Sequence, residues 1–160
     1  QKMKKILCLI FAAALVFSLC GCGSTNTEKN GAETQADSAA WDPTDLTLSE
    51  DEQELIEIVR DGLVAVDAGS FVSVVSGLLE DIGDAEGVPY SFEGLYREED
   101  GVSYLYSVDG GDSVALPLVY VTKTVPNGAA VRVYGIINLD DVGGETVTTL
   151  EVLALEGISQ

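Results

Sequence analysis

The chain has 160 residues, with 27 Asp or Glu against 8 Lys or Arg, no His, and a net charge of −19. That balance excludes a nucleic-acid footprint, which needs clustered cations to neutralise phosphates, and it disfavours contact with anionic lipid headgroups. Without His, the Ser-His-Asp and Cys-His nucleophilic arrangements are excluded as well.

The first elements in chain order are a basic flank and an apolar run. Met3 is the expected start, followed by Lys4 and Lys5. Ile6 to Leu19 is a run of 14 residues, apolar but for Ser18. It is short of the ~20 residues a permanent membrane-spanning helix needs. It ends on Leu19-Cys20-Gly21-Cys22. This stretch resembles the signal of bacterial lipoproteins, in which an aliphatic residue, a small residue and Gly, Ala or Ser precede the Cys that is acylated. Leu19, Gly21 and Cys22 match; Cys20 stands where Ala, Ser or Thr is usual. Cys20 itself does not fit as the acylated residue, because Leu19 would then occupy the place of the Gly, Ala or Ser.

The resemblance implies cleavage before Cys22, diacylglycerol on its sulfur, often a third acyl chain on the new amino group, and residence on the extracytoplasmic face of the cell membrane. Two or three acyl chains give a stable anchor, at ~0.8 kcal/mol per buried methylene. An ordinary secretory signal or a short retained anchor is the alternative. Cleavage removes Cys8 and Cys20 and lipidation occupies Cys22, leaving no disulfide and no cysteine metal site. The mature chain keeps Lys29, Arg60, Arg97, Lys123 and Arg132 against all 27 acids, a net charge of −22. The expected organisation is a signal over 1–21, the acylated Cys and a polar tether over 22–45, and one domain over 46–160. The tether lacks large apolar residues as far as Ala40 and is expected to stay disordered, with a reach of ~25 Å.

Ser49-Glu50-Asp51-Glu52 is a capping box, with three acids at the positive end of the helix dipole. Behind it Leu55, Ile56, Val59, Leu63 and Val66 form a stripe at helical spacing. Asp67 to Ser70 breaks the run. Phe71, Val74, Val75, Leu78, Leu79 and Ile82 then mark a second helix face, with Gly83 as its stop. After Pro89 the period changes to two. Tyr90 and Phe92 alternate with Ser91 and Glu93, and Glu98-Glu99-Asp100-Gly101 turns into Val102–Val108. There Val102, Tyr104, Tyr106 and Val108 share a face, which predicts their burial. Ser113–Val125 is a further apolar run, with Pro117 marking an edge or bulge. Pro126-Asn127-Gly128 turns again. Val131, Val133, Ile137 and Leu139 alternate with polar residues, Asp140 to Gly144 turns, and Thr146–Leu155 is the last strand.

The predicted fold class is α+β: two N-terminal helices packed on a curved antiparallel sheet of about five strands. In outline it is similar to NTF2-like or cystatin-like folds. No Ser-x-x-Lys, nucleophile-elbow, phosphate-loop or dinucleotide motif occurs. Asp109, Asp112, Asp140, Asp141 and Glu145 are hard oxygen ligands near turns, but they lack EF-hand spacing. Tyr90, Tyr96, Tyr104, Tyr106, Tyr120 and Tyr134 all fall in the strand half, as packing or as a ligand surface. The expected protein is a lipid-anchored, non-enzymatic interaction or accessory module of the cell envelope. It has no cofactor and meets the membrane through Cys22 and, beyond that, an envelope protein or basic partner. The alternative is a sensor or carrier of a small ligand or of calcium.

Overall fold

The structure, a computed structural model, describes residues 41–109 and 114–159. The signal, Cys22, the tether up to Ala40, and Asp112 among the candidate calcium ligands lie outside the described residues. Helix α1 spans Glu50–Val59, strand β1 Val64–Val66 and helix α2 Phe71–Glu80. Five strands follow: β2 (Pro89–Glu99), β3 (Val102–Tyr106), β4 (Ala115–Val119), β5 (Ala130–Val142) and β6 (Glu145–Gly157). The class is α+β, as expected.

The architecture differs from the expected helical pair on an antiparallel sheet of about five strands in three ways. The sheet has six strands and is mixed: β1 runs parallel to β2, and β4 runs parallel to β6. The sheet also closes. β2 pairs β3, β3 pairs β4, β4 pairs β6, β6 pairs β5, and β5 returns to pair β2. With β5 lying beside β2, ahead of β3 and β4, the spatial order is that of a Greek key, curled into a small barrel. Finally, the helices are not a contiguous N-terminal pair, because β1 intervenes. The predicted first stripe was too long: α1 ends at Val59, a 3-10 turn covers Arg60–Gly62, and Leu63 and Val66 leave the helix. The β-branched Val64 and Val66 instead extend beside Tyr90 and Phe92.

The barrel is filled from its inner face. Phe92, Leu105, Leu116, Val131, Val133, Ile137 and Leu150 are fully buried. From α2, Phe71 and Val75 add to this core, with the Phe71 ring edge-on to Phe92 at 6.0 Å. Thr148 Oγ1 donates to the carbonyl of Leu78 at 2.8 Å, supplying a partner to one of the last carbonyls of α2. The helix stops at Glu80, three residues before the predicted Gly83, which opens a 3-10 turn with φ +46°.

Two glycines permit the curvature. Gly94 lies where β2 passes from β5 to β3, and a Cβ there would overlap the carbonyl of Tyr106. Gly135 lies beside a bulge, since Tyr134 pairs Ala154 while Gly135 pairs Val152; a Cβ there would overlap the carbonyl of Glu151. Bulges and strand glycines are how a sheet bends sharply enough to close.

The β2–β3 turn falls where predicted. Asp100 and Gly101 have φ +51° and +80°, the pair of positive values a type I′ turn requires. The apolar run after Ser113 does not stay extended. β4 ends at Val119 because Tyr120 has φ +61°. Pro117 sits in β4 opposite Tyr104, and the contact with β6 starts one residue later, at Leu118.

Ahead of α1 the chain is already packed. Asp42 caps a 3-10 turn over Pro43–Asp45, and Trp41 and Leu46 lie against the core.

Candidate interaction surface

Leu19, Cys20, Gly21 and Cys22, expected from the resemblance to be the lipoprotein signal's cleavage and acylation residues, lie outside the described residues. The tyrosines do not converge. Tyr96 points inward, within hydrogen-bonding distance of Ser103 Oγ at 2.8 Å. Tyr90 stacks on Phe92 at 5.5 Å. Tyr104 and Tyr106 face outward, because Leu105 takes the inner face of β3. The predicted parity of this strand is therefore reversed. Tyr106 is nonetheless buried, under the guanidinium of Arg97 at 4.7 Å, and its hydroxyl donates to Glu99 at 3.0 Å. Tyr120 is 69% exposed.

Of the candidate calcium acids among the described residues, Asp140 and Asp141 have other partners. Asp140 accepts from Thr149 at 2.5 Å, and Asp141 accepts from the N–H of Gly144 at 2.9 Å within the β5–β6 turn. Among the described residues no three acidic side chains are grouped so as to hold a metal ion.

On the outer face Glu93, Arg132 and Glu156 stand opposite one another on β2, β5 and β6. Arg132 pairs with both carboxylates, at 3.1 Å to Glu156. Tyr134 donates to the same Glu156 oxygen at 3.0 Å. The Glu93 contact holds the guanidinium firmly protonated, over the opposing effect of burial. Burial, then the bond to Glu156, raises the Tyr134 hydroxyl above its ordinary value. The arrangement ties three strands together.

A second ionic cluster holds α1. Both capping-box bonds form: the N–H of Ser49 donates to Glu52 at 2.8 Å, and the N–H of Glu52 to Ser49 Oγ at 3.2 Å. Glu52 also accepts from Lys123 at 2.5 Å and from the N–H of Leu155 at 3.2 Å. Lys123 gives its other donors to the carbonyls of Thr47 and Leu155, at 2.8 and 2.7 Å. An ammonium has three donors, and all three are engaged.

With the clamp in place, α1 turns Glu52, Ile56 and Val59 partly inward and fully buries none of its residues. Leu55, expected on the packed stripe, is 38% exposed, and Ile58 is 77% exposed. Three residues apart, they share a face. Asp51 and Glu54 stand one helical turn ahead of Leu55 and Ile58 respectively. The stripe count passed over Ile58, and its position off the stripe was the available signal.

The cations of the described residues are all engaged within the domain. Arg60 pairs with Glu57 at 3.0 Å, Arg97 covers Tyr106, Lys123 holds Glu52, and Arg132 holds Glu93 and Glu156. The surface of the described residues thus presents acids, with exposed apolar residues among them. A depression of about 400 Å³ lies between Pro43–Leu48 and the end of β6, open to solvent and with no tyrosine in its lining.

No protein-family model matches the chain, and no curated protein matches it closely enough to carry a comparison. Among the described residues, no helix is long and apolar enough to cross a membrane.

Proposed function

We propose that the protein is a lipoprotein anchored through Cys22 on the extracytoplasmic face of the membrane. In this reading its barrel is a non-catalytic interaction or accessory module of the cell envelope. The observation that carries it is α1, a well-capped helix that directs Leu55 and Ile58 into solvent while an ionic clamp holds it to the barrel. Exposed apolar side chains on a rigid, capped element favour binding to a macromolecule. Residues Leu19, Gly21 and Cys22 support the anchor. The acidic surface supports a basic partner and disfavours nucleic acid.

Affinity capture from gently solubilised membranes, comparing the native protein with Cys22→Ser, tests this. The expected result is acyl-chain mass on the native protein, loss of membrane association in the variant, and a specific partner recovered only with the anchored form. An unlipidated native protein would remove the anchor. A blank capture from both forms would remove the module.

A further inference from the structure

We infer that the solvent face of α1 docks a cationic amphipathic helix of a partner protein, with Leu55 and Ile58 as the apolar contact. This deepens the interaction-module reading, on which it rests, by naming the chemistry of the partner.

The apolar half of the argument is geometric. Leu55 and Ile58 make a short ridge on a convex helix, and ridges of this kind pack into the groove of another helix. Ile58 is 77% exposed, so docking removes most of its surface from water. Glu52 and Lys123 fasten α1 to the barrel independently of Ile58.

The charge half of the argument selects the occupant. Asp51 and Glu54 flank the ridge, with the Glu57–Arg60 pair beside it. Among the described residues Arg60, the one cation next to α1 in sequence, is paired with Glu57, and the other Lys and Arg are engaged within the domain. A second copy of this chain would set acids against acids, and like charges across an interface are strongly unfavourable. An anionic bilayer would be repelled for the same reason. A helix with Lys or Arg on the flanks of an apolar stripe satisfies both the ridge and its rim.

The test titrates the full chain, in detergent, with an 18-residue synthetic Leu/Lys amphipathic peptide. Controls are a Ser/Lys peptide of equal charge and a Leu/Glu peptide. The Leu/Lys peptide is expected to bind saturably at one site, more weakly as salt rises. Ile58→Ser weakens it by about tenfold, and Leu55→Ser with Ile58→Ser by about a hundredfold. Ile58 is solvent-facing and Leu55 partly covered, and an unchanged melting temperature confirms that the fold is retained. Equal binding by parent and double variant, or by the Ser/Lys peptide, would overturn the inference, since attraction would then be diffuse charge. Self-association of the parent that Ile58→Ser abolishes would overturn it in favour of a second copy. If the membrane capture yields a partner that survives the double substitution, this face is wrong while the module reading stands.

Discussion

Glu52 and Lys123 are 71 positions apart in the chain and meet at 2.5 Å. One carboxylate thereby caps α1, accepts a bond from the backbone of β6, and anchors the lysine of the β4–β5 connection. Its side chain is 14% exposed, so it is too buried to lose its partner without penalty.

Lys123→Met should therefore lower stability by about 1–3 kcal/mol, the usual range for breaking a charge-assisted bond that leaves its acceptor buried. Urea unfolding would show a lower midpoint at an unchanged slope. Amide exchange would rise over Glu50–Val59 ahead of the barrel strands. Equal midpoints for parent and variant would mean that the clamp carries no stability.

The same contact sets an acid limit. Burial alone would push the Glu52 carboxyl up, but Lys123, then the N–H groups of Ser49 and Leu155, hold it below the ordinary value of 4.5. A carboxyl with a depressed folded pKa contributes stability that is complete above its unfolded value, here the ordinary 4.5. That stability is lost as pH falls through the lower folded value. Carboxyl-carbon NMR should find Glu52 titrating below 4.5 in the parent and shifting upward in Lys123→Met. A Glu52 titrating at or above that value in the parent contradicts the clamp.

Two glycine substitutions should act in opposite directions. Gly135→Ala drives a methyl into the Glu151 carbonyl beside the bulge and should cost about 1–3 kcal/mol or more. Gly77→Ala lies on an exposed part of α2 with nothing within 4 Å of the new methyl. It should stabilise by about 0.5–1 kcal/mol, as helix propensity dictates. Thermal melts of the two variants decide the matter, and a stabilised Gly135→Ala would mean that the barrel does not close there.

Arg132→Met should destabilise by about 1–3 kcal/mol by leaving Glu93 and Glu156 facing each other. It should also push the Tyr134 hydroxyl further up, because the guanidinium works against burial and Glu156 at that site. The sign of the pH effect follows. An acid with a raised folded value loses stability as pH climbs past its unfolded value, about 10. Ultraviolet titration of tyrosinate in parent and variant reads the shift, and a Tyr134 that ionises earlier in the variant contradicts the network.

Much of this was legible locally. The Ser49–Glu52 capping box, the Asp100-Gly101 turn and the inward parity of Val131, Val133 and Ile137 are short-range patterns, and each appears in the fold. In Val102–Val108, apolar residues occupy both parities, so alternation alone did not choose between Leu105 and its tyrosine neighbours. Strand β1 is three residues long and exists because β2 offers an edge, which no local propensity declares. Closure depends on β5 returning to β2, a pairing distant in sequence. Its one local trace was Gly94 and Gly135 standing alone inside strand patterns, a sign of close backbone approach. The Glu52–Lys123 contact left no trace at all, since neither residue's neighbours point to the other.

The two ends of the barrel domain meet. The N–H of Gly157 donates to the carbonyl of Leu46 at 2.8 Å, and a side chain at Gly157 would strike Pro43. Both termini of the fold therefore leave from one pole. A fluorescent protein fused close behind Ser159 would stand beside residues 43–48 and compete for the space around them. A label inserted at Gly143-Gly144, in the β5–β6 turn, would avoid that crowding. With its ends this close, the domain is also suited to circular permutation: a short linker between Ser159 and Trp41, and new termini at the Asp100-Gly101 turn, would leave every barrel strand intact.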